Sequence, residues 1–476
     1  MPSSFSTGTP ITPPVSPGDA LRDVWRQAGL PAATLAQMTL TGREPVLPSS
    51  FAVGTAAQAS LGAAALAAVQ IDMARGGTPQ GVSVDMLHAA QECRSHFTVD
   101  GETPEIWDKI TGLYPCADGW VRIHANFAHH RDGALRVLGL PPGPNTERTE
   151  VEAALRGWHA EAFESAGAEA GIVVSAMRSF EQWDAHPQAA AIARLPVFTI
   201  ECIGDAPPRA WPARSAGERP LAHLRVLDLT RIIAGPVCGR ALAAYGADVM
   251  LINAPDLPNI STLIETSRGK LSAHADLRTG VGRESLKRLL TDAHIFVQGY
   301  RPGALKALGF GPEEAAALRP GLIYVSLSAY GHDGPWASRR GFDSLVQTAT
   351  GFNHAEAAAA GQHKPLALPV QLLDHASGYL MALGAQAALW RQAQEGGSWH
   401  VRVSLAQTAQ WVRGLGRVKD GLSTAMPPVD NVLETSESGF GTLTAVRHAA
   451  RFSDTPACWP RPSVPPGTHP PLWPTD

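Results

Sequence analysis

The sequence predicts an α/β protein built on a doubly wound, Rossmann-like parallel sheet, with a partial second copy fused ahead of it. Two observations predict this. From residue 224 onward, short apolar runs alternate with helix-compatible stretches at the spacing of βα units. A stretch of the first half also repeats in the second.

The first half opens with "GDALRDVWRQAGL" and "ATLAQMTLTG", which read as one or two short helices over 19–45. An Ala-rich helix is expected over 51–75, then a turn, a short strand in "GGTPQGVSVDML" and a helix to about residue 95. "GLYPCADGWVRIHANF" (112–127) reads as a hairpin around "ADG". Residues 130–195 read as mostly helical, and "GDAPPRAWPARSAGERP" (204–220) as a linker. The second half then gives strands at "LRVLDLT", "ADVMLIN", "HIFVQGY" and "LIYVSLSAYG", with helices between them. A long helix over 375–394, the turn "EGGSWH", the strand "VRVSL" and another helix follow.

The repeat pairs "GTAAQASLGAAALAAVQIDMARGGTPQGVSVDMLHAAQ" (54–91) with "GYLMALGAQAALWRQAQEGGSWHVRVSLAQTAQ" (378–410). Both run Ala-rich helix, Gly-Gly turn, alternating strand, helix. Matching Leu66 to Leu389 sets Phe51 opposite Asp374, so the first copy lacks that acid.

Bulk numbers narrow the function classes. The net charge is −4, from 39 basic and 43 acidic residues, so nothing argues for nucleic acid or an anionic membrane. No stretch is long and apolar enough to predict a membrane span. Cys93, Cys116, Cys202, Cys238 and Cys458 are scattered and odd in number, which argues against a disulfide framework or a zinc site and fits a reducing cytoplasm. No metal site is expected. The opening "MPSSFSTGTPITPPVSPGD" lacks the basic and apolar regions of a signal peptide and reads as a disordered or draped arm.

Three strand ends and one acid carry the chemistry. "DLTRIIAGPVCGRALA" leads a strand through Ala234-Gly235-Pro236 into a helix, whose free N–H groups suit a phosphate, although the G-x-G-x-x-G and P-loop spacings are absent. "QGYRPGALKALGFG" sets Arg301 and Lys306 after another strand end, where open α/β sheets place ligands. "SAYGHDGPWASRRGFDSLVQTATG" (328–351) is a long Gly-rich loop after a third. Asp374 in "PVQLLDHASGYL" has two compatible readings: a cap for the helix that follows, or a carboxylate nucleophile for an acyl thioester.

These pieces, in this order, resemble the class III CoA-transferase family (CaiB/BaiF-like, with the α-methylacyl-CoA racemases among its members). The resemblance runs collinearly over about 221–412 through "SRGKLSAHADLRTG", "FVQGYRPGALKALGFG", "GFDSLVQTATG" and "PVQLLDHASGYLMALGAQAALWRQ". The first half resembles the family's later portion, with "GLYPCADGWVRIHANFAHHRDGALRVLGLP" similar to its small-domain hairpin. The resemblance implies four regions: an arm with short helices (1–45), a partial acid-less copy with a small α+β domain (46–215), a catalytic CoA-binding α/β domain (216–415) and a C-terminal return (416–476).

It also implies roles. Asp374 becomes the nucleophile, passing through an anhydride and an aspartyl-CoA thioester. Arg231, Ile232, Ala234, Gly235, Lys270, Tyr300 and Arg301 become the CoA contacts, and Gly331 a liner of the thioester end that offers its N–H to the oxyanion. Coenzyme A is then substrate and product, and an acyl-CoA and a carboxylic acid are the partners. The family's racemases carry a His where Phe342 stands, which favours transfer over racemisation unless His332 or His375 compensates. Racemase or isomerase activity and a non-catalytic CoA-binding subunit are the alternatives. The first half is expected to cover the site in cis, in a monomer with pseudo-twofold symmetry or in a homodimer.

Overall fold

Short apolar runs form strands where both faces can be buried, and the second half does this first at Arg225–Leu229. In the computed structural model, which describes residues 13–474, that strand lies inside a seven-stranded sheet. The order across the sheet is Lys270–His274, Asp248–Asn253, Arg225–Leu229, Ile295–Gln298, Ile323–Ser328, Ser398–Ser404, Phe198–Gly204. Neighbours are parallel except the last pair, where Phe198–Gly204 runs antiparallel. The winding direction reverses between Arg225–Leu229 and Ile295–Gln298. Open α/β sheets bind ligands beyond the carboxyl ends of the strands at such a reversal.

Two Ala-rich helices, Val53–Ala74 and Leu372–Glu395, pack along each other more extensively than any other two described elements. Their small side chains let both be buried over most of their length, and Gln386 donates across the contact to Ala64 O at 3.0 Å. The helices start alike. Ala52 (φ −77°, ψ 61°) precedes one and Gln371 (φ −78°, ψ 61°) the other. The third residue of each has its N–H bound by a carboxylate: Thr55 by Glu44 at 2.7 Å, Asp374 by Asp343 at 3.0 Å. Strand surroundings match too. Val82–Asp85 lies between parallel Met38–Thr41 and antiparallel Ala450–Phe452, just as Ser398–Ser404 lies between parallel Ile323–Ser328 and antiparallel Phe198–Gly204.

Gly112–Pro115, Trp120–Ile123 and Val174–Ala176 form a separate three-stranded sheet. With the helices Ala128–Val137, Arg148–Leu155 and Ala160–Glu169 it encloses its own apolar cluster around Tyr114, Val121, Leu135 and Phe163. A buried polar network ties the halves. Glu92 meets Arg240 at 3.1 Å, the Tyr379 hydroxyl at 2.6 Å and His448 at 3.1 Å, and Arg240 also pairs with Glu265.

The fold departs from the sequence expectations in several places. Met38–Thr41, expected helical, is a strand. Phe198–Gly204, Lys270–His274 and Val174–Ala176 are strands that were not expected. The helix holding Asp374 starts at Leu372 with Gln371 as its N-cap, so Asp374 lies inside the first turn and does not cap it. By the matched helix starts, Thr55 rather than Phe51 stands opposite Asp374; the position is still without an acid. The expected N-terminal arm lies largely outside the described residues.

Candidate active site

The reversal point is shaped by close backbone approaches. After Arg225–Leu229, Asp228 accepts from the Thr230 N–H at 3.0 Å and fixes the strand end. Ile232 follows at φ +78°, a left-handed conformation that strains a β-branched residue. The helix Ala234–Ala244 then begins. A Cβ on Gly378 would lie 2.5 Å from Ala234 O, so glycine there lets the long helix rest against this turn. Asp374, one turn earlier on the same helix, lines the same cavity as Ala234.

A cavity of about 390 Å³ opens at this junction. Arg231, Ile232 and Ala234 line it from the first strand end, Tyr300 and Arg301 from the second, and Asp374 from the long helix. Arg339, Arg340 and Phe342 line it from the Gly-rich loop, and Phe127, His129 and His130 from the small α+β unit of the first half. The size is that of a small-molecule site.

Asp374 is 6% exposed, and its carboxyl accepts no hydrogen bond from the described residues. Burial and the neighbouring charge of Asp343 push it well above the usual carboxylate range. Burial also raises Asp343, to about 6, against hydrogen bonds from the N–H groups of Asp374 and Leu373 and the amide of Gln347 that favour its charged form. With these donors Asp343 is the better-held anion of the two, and its charge works against ionisation of Asp374.

The rim is basic. Arg339 lies 3.5 Å from Glu164. Arg231, Arg301 and Arg340 have no carboxylate within ion-pair distance among the described residues. The Arg231 guanidinium stacks 5.2 Å from the Phe127 ring and donates to Pro258 O; Arg340 donates to Gly171 O at 3.1 Å. Three guanidiniums without acids, facing one cavity, suit a polyanionic ligand.

The structure thus brings together Asp374, Arg231, Ile232, Ala234, Tyr300 and Arg301. It leaves out three residues expected with them. Lys270 is buried in an ion pair with Asp228 (2.9 Å) and donates to Pro236 O (2.8 Å), so its ammonium cannot reach a ligand. Gly235 packs on Thr230, where a Cβ would lie 2.4 Å from Thr230 Cβ; it is small for the turn. The Gly331 N–H is taken by Ser328 Oγ at 3.2 Å and is not free for an oxyanion. His375 bonds Ser95 at 2.8 Å and His332 lies against His400; neither lines the cavity, whereas Phe342 does.

Sequence reasoning missed Arg339, Arg340, Asp343, His129 and His130. "ASRRGFDSLVQ" held a signal for the first three, because paired arginines beside an acid in a Gly-rich loop are unusual in a plain connection. "NFAHHRDG" held none, since its approach to Asp374 is purely tertiary.

A family model described as CoA-transferase family III matches residues 221–431. That stretch is similar to family III CoA-transferases. The chain is 37% identical over 216 residues to an acetyl-coenzyme A transferase of Hypoxylon pulicicidum, covering 43% of this chain and 36% of that protein. It is 34% identical over 205 residues to a probable fatty acyl-CoA transferase of Mycobacterium tuberculosis, covering 40% and 52%. A 29% match over 373 residues to an acyl-CoA transferase of Gibberella moniliformis covers 69% of this chain, more than residues 221–476 alone hold, and 64% of that relative. The chain spans between about a third and two thirds of the length of these relatives. No described helix is long and apolar enough to cross a membrane. The described residues hold no cluster of three or more His, Cys, Asp or Glu suited to a metal ion.

Proposed function

We propose that this protein moves coenzyme A from an acyl-CoA thioester to a carboxylic acid, with Asp374 as nucleophile. The observation that carries the reading is a carboxyl free of hydrogen bonds, inside the first turn of a helix, in the cavity that the basic strand ends share. The carboxylate attacks the thioester carbonyl; the C–S bond breaks, and CoA thiolate leaves a mixed anhydride. The thiolate then attacks the aspartyl carbonyl, releases the donor acid and leaves an aspartyl-CoA thioester. The acceptor carboxylate displaces CoA to form a second anhydride, and the thiolate takes the acceptor's acyl carbon, restoring Asp374. In this reading Arg231, Ile232, Ala234, Tyr300 and Arg301 hold CoA, and Arg340 adds a charge beside them.

The anhydride must be kept from water. Phe127, His129 and His130 supply one wall of the cavity from the first half, so a single chain holds both walls. The matched helix starts and strand surroundings support reading 46–215 as a partial, acid-less second copy and the chain as a pseudo-twofold monomer. The five cysteines are free thiols, which fits the cytoplasm. Phe342 on the wall, with no proton to give, supports transfer over racemisation.

Incubation with a panel of acyl-CoA donors and mono- and dicarboxylic acids tests the proposal. CoA exchange is expected with at least one pair, with hydroxylamine or borohydride labelling only at Asp374. Asp374→Asn should stay folded and lose both. Exchange that survives in Asp374→Asn, or label elsewhere, overturns the reading.

A further inference from the structure

A polar side chain on the wall of a reaction cavity, buried and without a protein partner, is costly to keep there unless a ligand completes it. His130 is such a residue. It sits in the first turn of Ala128–Val137, is 5% exposed and lines the same cavity as Asp374. Its Nδ1 is buried with no hydrogen-bond partner among the described residues. Aromatic rings fix its position: His129 at 4.0 Å, Phe127 at 6.1 Å and Phe342 at 6.4 Å between centroids. An apolar side chain would fill this wall as well and bury no polar atom.

We propose that His130 is a catalytic hydrogen-bond donor to the carbonyl oxygen of the bound thioester, presented across the cavity from the half of the chain that lacks the nucleophile. The proposal rests on the transferase reading above. Orphaned buried N–H groups are rarer than under-satisfied acceptors, so the neutral ring leaves its sealed Nδ1 bare and carries its proton on Nε2, the nitrogen left for a ligand. Burial, the neighbouring His129 and the positive charges of Arg340 and Arg231 favour this neutral form and hold the ring at about 3, far below an ordinary histidine. His130 is then a fixed N–H dipole and not a proton carrier. As Asp374 attacks, the new C–O bond forms, and the carbonyl π pair moves onto oxygen, where the N–H receives it. The pair returns as the C–S bond breaks and thiolate leaves; His130 keeps its proton throughout. Gly331, the donor expected from sequence, has its N–H engaged by Ser328.

The test compares His130→Phe, which keeps a flat ring and loses the donor, with His130→Gln, which keeps an N–H. For His130→Phe, kcat for CoA exchange should fall about 100-fold, the usual loss for one oxyanion donor, with the acyl-CoA KM within about threefold. His130→Gln should recover roughly tenfold of that loss, about 1.4 kcal/mol, and neither variant should melt below wild type. A kcat within threefold of wild type in His130→Phe overturns the proposal. So does a loss that tracks a fall in melting temperature and is not rescued by Gln, which marks a packing role. So does α-carbon deuterium exchange by wild type that disappears in His130→Phe, which marks a proton carrier. Failure of the transferase reading is seen separately, as wild-type protein with neither exchange nor a trapped Asp374, and removes this role with it.

Discussion

Replacing Asp343 by Asn keeps the side chain's shape and removes one of the two buried carboxyls. In the folded protein the Asp343 carboxyl titrates at about 6, against 3.8 for an ordinary aspartate. Between those values the folded state binds more protons than the unfolded chain. Wild type therefore loses stability as pH rises through this window and stays lower above it. Two pKa units correspond to about 3 kcal/mol, of which about 2 kcal/mol accrues between pH 4.5 and 8. Asn carries no such slope, so the variant should gain at least ~2 kcal/mol on wild type over that range, whatever constant offset the amide brings. Relief of Asp374, which feels the charge of Asp343, adds to the gain. Unfolding entropy near 2.1 cal/mol/K per residue makes this a relative rise of roughly 2 °C for 476 residues melting as one unit. The second readout is kinetic. Asp374 must lose its proton to attack, so the acid limb of kcat/KM should move to lower pH in Asp343→Asn. Melting curves and pH–rate profiles of both proteins measure the two effects. Parallel stability–pH curves, or an acid limb that stays put or moves up, would refute the coupling of the two carboxyls.

Two further predictions concern packing around the site. Lys270→Met strands Asp228 in the interior and should cost about 3–5 kcal/mol in urea unfolding, most of it recovered in the double variant with Asp228→Asn. An unchanged acyl-CoA KM in that double variant is expected, and a large, isolated rise in KM would return Lys270 to the CoA site. Gly378→Ala drives a methyl into Ala234 O and should destabilise by about 1–3 kcal/mol while lowering kcat, because the helix carrying Asp374 must back away from the turn; a fully active, equally stable Gly378→Ala would contradict that close approach.

Local pattern revealed the interior strands and both long helices. Arg225–Leu229 and Ile323–Ser328 are buried on both faces and so carry apolar runs that any window detects. Met38–Thr41 alternates half-buried with exposed residues, and Phe198–Gly204 is mostly half-buried at the sheet edge. Each becomes a strand through a partner distant in the chain, Val82–Asp85 or Ser398–Ser404, and a short window holds no trace of that pairing. Lys270 shows the same limit within the site. A basic residue in "SRGK" reads alike whether it meets a phosphate or a buried carboxylate, and only its pairing with Asp228 decides.

The sequence alone determined the alternating βα chemistry of the second half, the family III stretch, the lone acid at the head of an Ala-rich helix and the acid-less partner helix, because each is written in residues close together in the chain. Tertiary structure decided that Asp374 faces a cavity, that Asp343 opposes its ionisation, that Lys270 is structural and that the first half supplies His130. These depend on burial and on charges brought together from distant segments, and desolvation and through-space interaction have no value until the chain is folded.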